Sequence, residues 1–210
     1  MKKLMIALAI VAIASVAQAE LLATWTFSGG ASTMAANNSA ANIGQVTFGE
    51  LTRVNLGQAS STANQFACNN WVASVNGISL SVTVASGYEI ANATIGVGGL
   101  NGSGTGPGTL QWSLNSVDVG TAWTVAYASA SSVYADVDVG TIDAGANTLF
   151  LRSTGGAVNT PTAAPAAAGS GRLLNSLTMD GDIQAVPEPA TMSLLGLGAL
   201  AMVLRRKMKK

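Results

Sequence analysis

Histidine is absent from this sequence, and cysteine occurs once, at Cys68. Without histidine the chain lacks the commonest general base and the commonest zinc ligand, so Ser-His-Asp and Cys-His catalysis are excluded. A single thiol makes no internal disulfide, so oxidation supplies no staple. Lysine is missing from the whole stretch between Lys3 and Lys207, and between Lys3 and Arg205 the only basic residues are Arg53, Arg152 and Arg172. Every acidic residue falls between Glu20 and Glu188. The middle of the chain is therefore mildly acidic, and polyphosphate partners need clustered Lys and Arg, so no nucleic-acid partner is expected. The body also has no convincing 3.6-residue period and no repeat of solenoid or propeller length.

What is present begins with the two ends. Lys2 and Lys3, the apolar stretch Leu4 to Ala14, and Ala17-Gln18-Ala19 have the three parts of a secretory signal. The apolar stretch lacks a polar face, which argues against an amphipathic helix. Residues 1–19 are thus expected to be removed by signal peptidase between Ala19 and Glu20.

The other end reads Val186-Pro187-Glu188-Pro189, then an uncharged run from Ala190 to Leu204, then Arg205, Arg206, Lys207, Met208, Lys209 and Lys210. As a helix the run is about 22 Å long at about 1.5 Å per residue. That is short against a hydrocarbon core of about 30 Å. The basic residues that follow offer long side chains that reach the headgroups, and a cleaved N-terminal signal would leave this tail inside, where positive charge is favoured. A transmembrane helix over about 190–204 is expected. Pro187 and Pro189 keep the preceding segment out of a helix and extended, in a form that a processing enzyme can grip.

This tripartite order resembles the PEP-CTERM sorting signal of Gram-negative bacteria, which is also catalogued as an ice-binding-protein C-terminal domain. The resemblance covers residues 186–210. It implies recognition through Pro187, Glu188 and Pro189, with Arg205 and Arg206 closing the signal, and an integral-membrane exosortase as partner. The precursor would be anchored at its C-terminus, and the mature form would remain in the cell envelope or outside the cell.

Residues 20–185 form the body, where the dominant period is two. Ile78 to Val84, Leu110 to Leu114 and Val133 to Val139 alternate cleanly; further strands are predicted at 22–27, 46–54, 90–97, 122–128, 148–152 and 173–179. Short strands of Val, Thr, Ile and aromatics between Gly, Asn and Ser predict an all-β, antiparallel sandwich. Gly98 to Gly108 is too glycine-dense to be expected inside a strand. Residues 34–41 and 154–171 read as loops. Leu22-x-x-Trp25-x-Phe27 and the segment from Gly169 through Arg172, Leu173, Asn175, Leu177 and Thr178 to Gly181 resemble the bodies of PEP-CTERM proteins. That resemblance implies a jelly-roll of the carbohydrate-binding type. The chain departs from it at Leu174, where the family often has aspartate.

Candidate chemistry in the body is thin. Asp136 and Asp138 share one face of a predicted strand and, with Asp143, could offer oxygen ligands to Ca²⁺; Asp180 and Asp182 make a second pair. No loop has a recognised calcium spacing, and alternate polar positions facing water explain these residues without any cofactor. Trp25, Trp71, Trp112 and Trp123 could stack on sugars, although aromatics in strands more often build the core. Cys68, with no nearby basic group to lower its pKa, is expected to be inert. The reading is a non-enzymatic envelope or extracellular-matrix protein sorted by its C-terminus. The alternative is a carbohydrate-binding sandwich that engages exopolysaccharide, followed by an ice-binding protein and, last, a glycoside hydrolase using paired carboxylates across a cleft.

Overall fold

A computed structural model describes residues 19–27, 33–38, 44–59, 64–72, 74–127, 136–156, 165, 169–186, 196–198, 202 and 205. Its strands in chain order begin with β1 (Glu20–Thr26), β2 (Thr33–Met34), β3 (Asn37–Asn38), β4 (Val46–Val54), β5 (Gly57–Gln58), β6 (Gln65–Asn69) and β7 (Gly77–Val84). They continue with β8 (Tyr88–Gly102), β9 (Thr109–Leu114), β10 (Val117–Thr124), β11 (Ala126–Tyr127), β12 (Val137–Ile142), β13 (Gly145–Ser153) and β14 (Gly171–Ala185). The expected all-β architecture is what is found, in two sheets that are antiparallel apart from the short parallel pair β11–β8.

One sheet is organised by its two longest strands, β8 and β14, which pair with each other along their length. β14 takes β1 on its other side over Ser176 to Gly181 and β6 over Gly171 to Leu174. β8 likewise takes β12 at one end and β11 at the other. The second sheet runs β10-β9-β13-β7-β4-β2. Alternation in β7 buries Ile78, Leu80, Val82 and Val84 and leaves Ser79, Ser81 and Thr83 facing outward, as expected for a sheet with one face in water. The hairpin β9–β10 turns on Asn115 and Ser116, both at positive φ (49° and 72°), the geometry a two-residue loop needs to follow the strand twist.

The two sheets close on one core. Trp25 from β1 crosses it, donating from Nε1 to the Gly49 carbonyl of β4 at 3.0 Å and meeting Phe48 edge-on at 6.0 Å. Trp112 and Trp123 meet edge-on at 6.1 Å between β9 and β10.

Three expectations are corrected. β8 does not stop at Val97 but runs through Gly98 and Gly99 to Gly102. Its glycines serve close approach: a Cβ at Gly102 would lie 2.7 Å from the Ser170 carbonyl oxygen and 3.0 Å from Val125. The polar stretch at 34–41 contributes the short β2 and β3 rather than loop alone. β6, which carries Cys68, was not expected as a strand at all. The predicted strand over 133–139 is found as β12 from Val137, residues 133–135 lying outside the described ones.

Candidate functional site

β14 is the element that carries the body into the C-terminal segment. Its last pairs with β8 are Gln184 with Glu89 and Ala185 with Tyr88, and the next residue, Val186, donates its N–H to the Gly87 carbonyl at 2.8 Å. Gly87 sits at φ +79° in the turn leading into β8, a conformation that glycine adopts without strain. The sheet is thus hydrogen-bonded up to the residue before Pro187. Pro187, Glu188, Pro189 and Arg206 lie outside the described residues, as do Ala17 and most of the predicted 190–204 helix. Gly196–Gly198, Met202 and Arg205 are helical and exposed, and among the described residues no helix is long and apolar enough to cross a membrane. Ala19 and Glu20 are exposed, with Glu20 opening β1 opposite Gly181.

The candidate sites in the body resolve differently. All four tryptophans are buried: Trp25 at 0%, Trp71 and Trp112 at 1% and Trp123 at 4% exposure. None presents a ring face to solvent, so the sugar-stacking role considered for them is corrected to a core role. Trp71 Nε1 is satisfied by the Cys68 carbonyl at 2.9 Å. The aromatic that does sit on an outer face is Phe150 of β13, half-buried, opposite Ser79 and across Gly77. Alternation along β13, with Leu149 and Leu151 buried on either side, is the sequence signal for its outward position.

Asp138 and Asp180 both lie opposite Thr94 of β8, with Asp136 close enough to Asp180 to act on its charge, but they do not converge on a metal site. Asp138 accepts the Gly140 N–H at 2.8 Å and so closes its own turn. Asp143 uses its backbone carbonyl to hold the Asn147 side chain. A bulge between Asp180 and Asp182 turns the second pair apart: Asp182 is buried and accepts from Asn92 Nδ2 at 2.9 Å. Asp180 stays on the outer face, where burial first and the nearby Asp136 charge second raise its carboxyl above the usual 3.8. Among the described residues no three His, Cys, Asp or Glu groups are placed to hold a metal ion.

Cys68 also differs from expectation in its surroundings. A basic group is present: Arg53 Nε donates to Sγ at 3.3 Å, Nη2 donates to the Ala67 carbonyl at 3.2 Å, and the guanidinium lies 4.2 Å from the Phe66 ring centre. Burial nonetheless outweighs both influences of Arg53 and pushes the thiol up from 9.0 to about 11. Burial, rather than the lack of a basic neighbour, is what holds this thiol in its neutral form.

Together these observations define a β-sandwich that ends flush against a C-terminal signal. A family model described as the PEP-CTERM protein-sorting motif matches residues 185–207. Residues 185–207 thus carry a PEP-CTERM sorting motif, and that motif implies export, C-terminal anchoring and processing by an exosortase-type enzyme. No curated protein matches the chain.

Proposed function

We propose that this protein is a non-enzymatic component of the cell envelope or extracellular matrix, delivered by two successive processing events. Signal peptidase would cut between Ala19 and Glu20, and an exosortase-type enzyme would act on the segment around Pro187, Glu188 and Pro189. The observation that carries the reading is the match at 185–207, which begins at the residue where β14 ends. The complete lack of histidine supports a non-catalytic role. Substituting Glu188→Ala, or deleting residues 205–210, should leave uncleaved precursor in the membrane fraction. Normal maturation of both variants would overturn the sorting assignment.

A second reading, engagement of exopolysaccharide by a jelly-roll-like body, is favoured by one surface. Phe150 stands beside Ser79, Thr52 and Thr148 on the outer face of the second sheet, with the Arg152–Asp118 ion pair (2.8 Å) next to it. A ring among hydroxyls and a charged pair is a chemistry suited to pyranose units. Retention of the protein on the host's polysaccharide, lost on Phe150→Ala without loss of stability, would support it. Unchanged retention, or none in either protein, would remove it.

A further inference from the structure

β1 and β14 are antiparallel neighbours, so the start of one and the end of the other leave the same end of the sandwich: Glu20 pairs with Gly181, and β14 continues from there to Ala185. The turn at 85–87 closes this end, with Ala85 N–H bonded to the Gln45 carbonyl at 2.7 Å and Val186 N–H to Gly87. Val46, Val84 and Gly145 lie level with one another there, so the turn before β13 belongs to the same end. Its exposed side-chain charges are acidic: Glu20, Glu89 and Asp143 cluster at this end by register, offset in part by the α-amino group that cleavage before Glu20 would free. The three body arginines pair with residues at the opposite end: Arg53 with Ile78, Arg152 with Gly77 and Arg172 with Asn101.

Tether length adds the second constraint. From hydrogen-bonded Val186 to Ala190, where the apolar run begins, the chain reaches at most about 14 Å. That is under two screening lengths at physiological salt, about 8 Å each, and well within one at about 0.01 M salt, about 30 Å.

We propose that this acidic end is the membrane-facing surface of the anchored precursor, held against an anionic bilayer by its short tether and against its own charge. The proposal rests on residues 190–204 inserting in the membrane. An untethered body would turn its arginine-bearing end towards the same surface, so the orientation belongs to the precursor alone. Removing the tether removes the force that keeps the acids near the headgroups, which favours departure of the mature body from the membrane.

The test uses the signal-cleaved precursor, residues 20–210, in vesicles of phosphatidylcholine with about one-third phosphatidylglycerol, doped with a headgroup nitroxide. A fluorophore is placed at Ser86→Cys, in the exposed turn at the tethered end, or at Thr105→Cys, in the exposed turn at the other end; native Cys68 is buried and stays unlabelled. Quenching should be several-fold stronger at position 86 than at 105, and it should rise with salt in anionic vesicles but not in neutral ones. Ten Gly and Ser residues inserted after Val186 should bring the two positions close to equality. Equal quenching in protein that floats with the vesicles overturns the orientation alone. Failure to float overturns it together with the membrane reading beneath it. Quenching insensitive to salt in anionic vesicles overturns the electrostatic opposition.

Discussion

Arg53 and Cys68 meet across the corner where β4 leads through β5 to β6, with Nε donating to Sγ at 3.3 Å. A guanidinium at that distance ordinarily favours a thiolate. Here the pair is enclosed enough for desolvation to prevail, and the thiol ionises only near pH 11. The contact is therefore structural: it fixes the β4–β6 corner and stacks a cation on Phe66.

Replacing Arg53 by methionine should cost about 2–4 kcal/mol, the combined loss of a charged hydrogen bond and a cation–π contact. The thiol should then titrate higher still, because both influences of Arg53 lower it. Urea unfolding and a pH series of thiol labelling measure the two effects separately. In the unmodified protein, labelling at pH 8 should be slow and limited by opening of the fold.

Trp25 should behave as a cross-sheet tie rather than a binding ring. Trp25→Phe, which keeps most of the volume but abandons the Gly49 carbonyl, is expected to cost about 1–3 kcal/mol. Trp25→Ala should cost about 3–5 kcal/mol by leaving a cavity. Thermal unfolding of both variants gives the comparison, and an unchanged Tm in Trp25→Phe would contradict the tie.

Asp180 gives the fold a pH dependence with a definite sign. Its folded pKa lies above the unfolded value of 3.8, so over that interval the folded state holds more proton than the unfolded one. Stability from this group is intact below about pH 3.8 and falls as pH rises through the elevated folded value. Asp180→Asn should thus be more stable than the parent at pH 7 and indistinguishable from it at pH 3. Asp136→Asn should give a smaller change in the same direction, because it removes only the second cause.

Glycine at 102 should be irreplaceable at low cost. An added Cβ meets a backbone oxygen, that of Ser170 at 2.7 Å, and backbone cannot rotate away. Gly102→Ala is expected to destabilise by about 1–3 kcal/mol, whereas Gly44→Ala, with open space around it, should be close to neutral. Parallel denaturant curves decide between them.

The sandwich was legible where one sheet face is in water, because a period of two then appears directly: Ile78 to Val84 and Val46 to Val54 are found as β7 and β4. It was illegible where packing rather than solvation selects residues. Gly98 and Gly102 carry no side chain to alternate, yet they lie within β8, where Asn175 crowds against the first and Ser170 and Val125 against the second. Alternation also leaves open which face is the inner one. Trp25, Trp112 and Trp123 could be placed on strands and Trp71 could not, but only the packing of the two sheets shows that all four are buried. Arg53 and Cys68 are 15 positions apart, and no local pattern announces a contact made by a corner. The Asp180–Asp182 pair was read as two neighbours on one face because a bulge leaves no mark in spacing. The C-terminal signal was the most legible feature of all, since its order of proline, apolar run and basic tail is linear.

The central claim is that both ends of this chain are addresses and that the β-sandwich is what remains. The intact mass of the protein recovered from the producing cell's envelope or surroundings tests it most directly, because it reports both ends at once. The expected mass lacks residues 1–19 and lacks the apolar run and basic tail that follow Pro189. A mass that retains residues 190–210 in the mature protein would contradict the account.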